Sequence, residues 1–268
     1  MSRDDKVEVK PVRIWTEEGK KSQPVKKIPE TDAIFEKLNE VNSKADEDET
    51  VLRISCDAKA TILLEQFSRG GLSRVNVKGL DHDFQSKGSE KVTPFGLYLP
   101  QSKELFLYFT QSKVTSDFIV DCLIDFWSSQ RERFPNVRTL LLNLDNGPEN
   151  QSHRTQFMFR LTQMADAYQL NIELAYYPPY HSKYNPIERV WGHLEKHWNG
   201  SLLDSLDTVL NFARSFTFHQ LQPVVRLLSQ LYETGFSLSP SEMKILEERF
   251  ERSPGLEKWF VRIPFSPI

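Results

Sequence analysis

Three acidic residues stand where carboxylates can converge. Asp57 closes the run VLRISCD, Asp145 closes the apolar run VRTLLLNLD, and Glu188 lies in the first turn of a helix that opens at Asn185-Pro186. Ligands of open α/β sheets bind outside the carboxyl ends of the strands, so two strand-end aspartates and a helix-start glutamate can share one point. Oxygen-only donors of this kind suit Mg²⁺ or Mn²⁺, which keep several waters and take phosphate as a further ligand. Taken singly, each acid also has an ordinary structural explanation. Asp57 can cap a turn at the end of a strand. Asp145 precedes Asn146-Gly147-Pro148, which any turn accommodates, and Asn185-Pro186-Ile187-Glu188 is a stabilising helix start whatever its chemistry.

Around these acids lie groups that can meet an anionic partner. Asn146 and His181 are placed to hydrogen-bond a phosphate or a metal-bound water, or else serve as a turn residue and a loop side chain. Lys59 shares a strand face with Asp57 if the strand continues, and Arg69 and Arg74 flank Gly70-Gly71 in a candidate backbone-contact loop. The whole chain, 268 residues with a formal charge of -3, argues against coating nucleic acid by bulk positive charge. From Lys59 to Lys78, however, four cations (Lys59, Arg69, Arg74, Lys78) stand against one acid, Glu65, so the sequence allows a basic patch within an acidic average. Ile187, Val190, Trp191, Leu194 and Trp198 form a helical apolar stripe and read as core, not as base-stacking groups. Cys56 and Cys122 sit in apolar runs without metal-ligand spacing and read as buried thiols of a reducing compartment.

The elements that must position the acids follow from periodicity. Residues 1 to about 30 carry little pattern and read as an extended or disordered arm; 31–43 spaces Ile34, Phe35, Leu38 and Val41 as a short helix, ended by the acidic ADEDET linker. Residues 51–57 read as a strand, and Gly70-Gly71 as a turn between two extended segments. Residues 94–110 read as a hairpin about Pro100 to Lys103. A helix from Ser116, the apolar strand 137–145, a helix over 152–168, the strand 171–177 and the helix from Pro186 complete an α/β core. Right-handed crossovers then give a mixed sheet with helices on its faces. Beyond residue 200 the pattern reads as helical, over SLLDSLDTVLNFA, QPVVRLLSQLYETG and SPSEMKILEERFE, the last opened by a Ser239/Glu242 capping box. Three parts are expected: the arm and helix 1–50, a catalytic core 51–200 and a helical C-terminal extension 201–268.

The segments LLLNLDNGPEN and YYPPYHSKYNPIERVWGHLEKHW resemble the second and third acidic motifs of DDE transposases in the ribonuclease H-like superfamily, near the mariner and related bacterial insertion-sequence groups. DNGPENQSHRTQF, AYYPPYHSKYNPIERVWG and FSRGG bring the chain closest to the Rhodopirellula-type DDE transposases, a resemblance running from about Pro29 to Lys258. Asp145 and Glu188 stand 43 positions apart, somewhat farther than in typical mariner elements. The resemblance makes Asp57, Asp145 and Glu188 the first, second and third catalytic and metal-binding acids. Asp81 and Asp83 are rivals for the first place, and Asp57 is preferred because it ends an apolar strand.

What the resemblance implies is a ribonuclease H-like mixed sheet and metal-dependent DNA strand cleavage and transfer with Mg²⁺ or Mn²⁺, two ions. It also implies element ends and target DNA as partners, with a homodimer or higher assembly in a synaptic complex. A ribonuclease H-like nuclease that does not join strands, and a silent or truncated remnant that only binds DNA, are the alternatives. About 50 residues precede Asp57, too few for the helix-turn-helix region that transposases of this type carry, so a truncated or split product, or the catalytic part of a longer protein, is expected. No apolar run approaches the roughly 18 residues a membrane span needs, and the expected place is the bacterial cytoplasm, at the nucleoid when bound to DNA.

Overall fold

The computed structural model describes residues 27–65 and 90–266. Among them the strands are β1 (Val51–Ala58), the short β2 (Ile62–Leu63), β3 (Lys91–Leu99), β4 (Glu104–Thr110), β5 (Thr139–Leu144), β6 (Asn171–Tyr176), β7 (Val224–Leu227), β8 (Glu251–Arg252) and β9 (Phe260–Ile263). They form one mixed sheet in the order β7-β4-β3-β1-β5-β6-β9-β8, with β2 paired to β3. The hairpin expected over 94–110 is β3 and β4, closed by a turn in which Lys103 takes φ 63° and returns its N–H to the Leu99 carbonyl at 2.8 Å. β1 runs antiparallel to β3 on one side and parallel to β5 on the other. Every residue of β5 is buried, as its unbroken apolar run requires of a parallel strand covered on both faces.

The helices are α1 (Thr31–Glu47), α2 (Ser116–Gln130), α3 (Thr155–Tyr168), α4 (Pro186–Trp198), α5 (Leu206–Ser215) and α6 (Pro240–Glu247). On one face α2 meets the hairpin through edge-on ring pairs, Phe95 with Phe118 and Phe106 with Phe126, and packs with α3. On the other, α1 reaches β5 through a hydrogen bond that the Asn143 amide donates to Asn42 Oδ1 at 2.9 Å, while α4 and α5 bury Ile187, Val190, Trp191, Leu194, Val209 and Leu210 with residues of β3 and β4. The α/β layering expected of a ribonuclease H-like chain is therefore present. Among the described residues no helix is long and apolar enough to cross a membrane.

Two expectations are corrected. The helix expected over 222–235 does not form. Val224 and Val225 instead begin β7, which pairs in parallel with β4, and the chain beyond it is tied to α2 and the β4 end by Tyr232, whose hydroxyl donates to Asp121 and whose N–H donates to Ser112. β-branched residues lose little as strand, and an unpaired strand edge of buried apolar residues outweighs a local helical period. The acidic stretch after residue 43 is also helical in its first part, since α1 continues to Glu47. Asp46 near that helix end is disfavoured by the helix dipole, and the Arg53 guanidinium 2.6 Å away offsets it. α5, α6 and the Ser239/Glu242 capping box form as expected. β8 and β9 extend the sheet beyond β6, in a region where the sequence pattern gives no strand.

Candidate active site

Asp57 and Asp145 stand level on neighbouring parallel strands. Ser55 pairs with Asn143 in the β1–β5 register; two residues on, Asp57 meets α4 through Trp191, and Asp145 follows directly after the end of β5. The two acids are near enough for the charge of Asp145 to act on the Asp57 carboxyl. Asp145 is just past β5, in a turn where its Oδ1 accepts the Gly147 N–H at 3.1 Å and the Asn150 amide at 3.0 Å, and Asn146 takes φ 61°. Asn150 is 6% exposed, and its own Oδ1 is a buried oxygen with no hydrogen-bond partner. Glu188 enters from the first turn of α4.

Electrostatics report the convergence. Asp57 is 7% exposed, and its carboxyl is pushed up to about 7, first by burial and then by the charge of Asp145, with Glu188 adding to the rise. The Trp191 indole and the Ala58 N–H oppose it by hydrogen bonding the ionised form. A buried carboxyl that resists ionisation beside two further acids is what a cation would relieve. Among the described residues, no three His, Cys, Asp or Glu side chains close into a cage around one point. The donor set is instead two level aspartates, a nearby glutamate and the orphaned Asn150 oxygen, which fits a Mg²⁺-like ion that keeps waters and shares substrate phosphate.

Helix α4 is fixed to β1 by buried polar contacts. Asn185 precedes the helix, yet its side chain caps nothing in it; the amide donates to the Cys56 carbonyl at 3.0 Å and accepts from the Ser55 hydroxyl. Ser55 in turn accepts the Ile187 N–H at 2.9 Å, so one of the helix's orphan donors is satisfied by the neighbouring strand. Farther along, the Trp191 indole N–H donates to Asp57 Oδ2 at 2.8 Å. Gly96 on β3, the cross-strand partner of Asp57, makes this possible: a Cβ there would lie 2.7 Å from Trp191 Cη2 and 2.8 Å from Ile187 Cδ1. Gly96→Ala is therefore expected to lift α4 and to cost about 1–3 kcal/mol. Urea unfolding checks this, and an unchanged midpoint would show that the helix does not rest on the sheet here.

A family model described as the Rhodopirellula transposase DDE domain matches residues 15–264. The chain belongs to that family. Both acidic segments of the DDE domain, and every strand and helix described above, fall inside the match. No curated protein matches it. Among solved structures it is similar to the Mos1 transposase paired-end complex with left transposon end, at 10% identity and a TM-score of 0.46. It is also similar to the Mos1 mariner paired end complex with Mn, at 13% and 0.47, and to the Mos1 strand transfer complex, at 9% and 0.44. Each match covers 76% of this chain and 57% of the Mos1 chain.

The other residues singled out in the DDE domain sequence are placed unevenly. Asn146 lies beside Asp145, its carbonyl within reach of the Gln151 amide at 3.4 Å. His181 is 4% exposed in the loop before α4, where its Nδ1 lies 2.8 Å from the Pro179 carbonyl and its ring packs with Phe35 and Tyr184. Lys59 turns to α4, pairing with Glu195 at 2.8 Å and lying 5.8 Å over the Trp198 ring. Arg69, Arg74 and the rival Asp81 and Asp83 lie outside the described residues. Trp191 is core, as its stripe required, and its polar edge is the part that periodicity missed. Ser55 carried a usable signal: a hydroxyl inside an apolar strand, on the Asp57 face, must find a partner when buried.

Proposed function

We propose that this DDE domain cleaves DNA strands at the ends of a mobile element and joins them to target DNA, with Asp57, Asp145 and Glu188 holding the divalent cations. The observation that carries this reading is that Asp57 and Asp145 lie at the ends of the adjacent parallel strands β1 and β5, with Asp57 raised to about 7 by burial and by its acidic neighbours. Mg²⁺ or Mn²⁺, as two ions, suits the all-oxygen donors. Bound there, they supply activation of a water or 3′-hydroxyl and stabilisation of the leaving oxygen at the scissile phosphate.

The chain's own residues do the rest. Gly147 N–H and Asn150 hold the Asp145 carboxylate, and the Ser55–Asn185 contact fixes the helix start from which Glu188 projects. Asn146, next to Asp145, is the group proposed to meet a phosphate, and Arg69 and Arg74 are proposed to contact the DNA backbone; His181, buried against Phe35 and Tyr184, instead packs the loop before α4. Lys59, two residues from Asp57, is paired with Glu195 and would have to leave that pair to meet a phosphate. Element ends and target would be brought together in a synaptic assembly of two or more copies.

The test is incubation of the full chain with duplex DNA carrying the sequences that flank its gene, with Mg²⁺ or Mn²⁺. Both nicked and joined products are expected, and neither in EDTA. Nicks without joined product would replace transposition by simple nuclease action, and cleavage that survives EDTA would overturn the cation reading.

A further inference from the structure

We propose that Trp191 is a positioning residue for Asp57, its indole N–H setting the orientation in which that carboxylate meets a cation. The inference rests on the reading of Asp57 as a cation ligand. An indole offers one donor and no acceptor, so its single hydrogen bond can serve only an oxygen that is free to accept. That bond runs 2.8 Å to Asp57 Oδ2, with Trp191 5% exposed and Asp57 7% exposed. A buried indole N–H needs an acceptor, and here the acceptor is the most buried of the three acids. The ring is held in that pose from below by Gly96, which stands directly opposite Asp57 on β3 and leaves no room for a Cβ beneath the indole. It is held along the helix axis by Asn185 and Ser55, which anchor the start of α4 on β1. With Oδ2 engaged, the Asp57 carboxylate is no longer free to rotate about its last bond, although it projects from a strand end. Its orientation is set by the same helix that carries Glu188 one turn earlier, so two acids are aligned by one rigid element. Partners of this kind to a metal ligand typically govern affinity by about 10–100-fold.

The experiment measures Mn²⁺ binding to the full chain without DNA, by calorimetry and by electron paramagnetic resonance of the free ion. Trp191→Phe keeps the ring and removes the donor, and it is expected to weaken Mn²⁺ binding by about tenfold or more. Trp198→Phe trims another buried ring on the same helix, one under the Lys59 ammonium and not bonded to Asp57, and is expected to leave binding nearly unchanged. In an Asp57→Asn background Trp191→Phe should change nothing further, because the indole acts through the carboxylate. Unchanged binding in Trp191→Phe, or an equal loss in the Asp57→Asn background, overturns the proposal while leaving the three-acid reading intact. A wild-type chain that binds no Mn²⁺ overturns both. If Trp191→Phe does not fold, the wild-type indole ¹⁵N–¹H spectrum decides. The signal displaced by Asp57→Asn must also shift on adding Mg²⁺, and a spectrum in which no indole signal responds to both overturns the proposal.

Discussion

Asp145→Asn is expected to lower metal-dependent strand cleavage by about a thousandfold or more while leaving the unfolding midpoint nearly unchanged. The two effects separate because the two oxygens of the side chain have different work. Oδ1 accepts the Gly147 N–H and the Asn150 amide, and an asparagine oxygen can keep that turn together. What asparagine removes is the negative charge that would bind a cation. A cation positioned at a reacting phosphate contributes several kcal/mol of charge stabilisation in the transition state, and about 4 kcal/mol corresponds to a thousandfold in rate. Glu188→Gln should behave alike: the residue occupies the first turn of α4, where its charge favours the helix by only a few tenths of a kcal/mol to about 1 kcal/mol. Rates of Mg²⁺-dependent nicking measured beside urea unfolding check both variants. Either one retaining its rate within about tenfold would remove that acid from the proposed set.

The second large effect is on stability. The metal-free chain should lose about 3 kcal/mol between about pH 5 and pH 8 through Asp57 alone. Its carboxyl sits at about 7 in the folded chain, against 3.8 when unperturbed, because burial and then the Asp145 charge oppose its ionisation. The folded chain therefore binds the proton more tightly than the unfolded chain. That contribution is fully present below about pH 4, declines as pH rises, and is gone above about pH 7, at roughly 1.4 kcal/mol per pH unit. Adding Mg²⁺ should restore stability at pH 8 and do little at pH 5, where Asp57 is protonated. Asp57→Asn should abolish this slope and stabilise the metal-free chain at pH 8. Urea unfolding at the two pH values, with and without Mg²⁺, checks the sign; an identical slope in wild type and Asp57→Asn would show that another group dominates.

Much of the site is legible in the order of the residues alone. Alternation in VLRISCD and the unbroken apolar run of VRTLLLNLD specify strands that end on aspartates, and Asn185-Pro186 specifies a helix that begins just before Glu188. These are local patterns, governed by side-chain period and turn chemistry within a few residues. The same local logic places the hairpin about Pro100 to Lys103 and the capping box at Ser239.

It misleads where the deciding partner lies far along the chain. Val224 and Val225 become strand because β4 offers a free edge more than a hundred residues earlier, and β9 forms because the edge of β6 pairs Ile172 with Ile263. Neither edge leaves any mark on the segment that pairs with it. Trp191 shows the same limit inside the site: its helical spacing assigns the ring to the core, and nothing in that spacing says that its N–H meets a carboxylate 134 positions away. The sequence by itself determined which acids are available, which elements carry them and that Asp57 and Asp145 end strands. Only the tertiary structure decided that those strands lie side by side in register, and that Gly96 leaves room for α4 to settle on them. Register and close approach are properties of pairs of distant segments, set when backbone hydrogen bonds and ring packing are satisfied together.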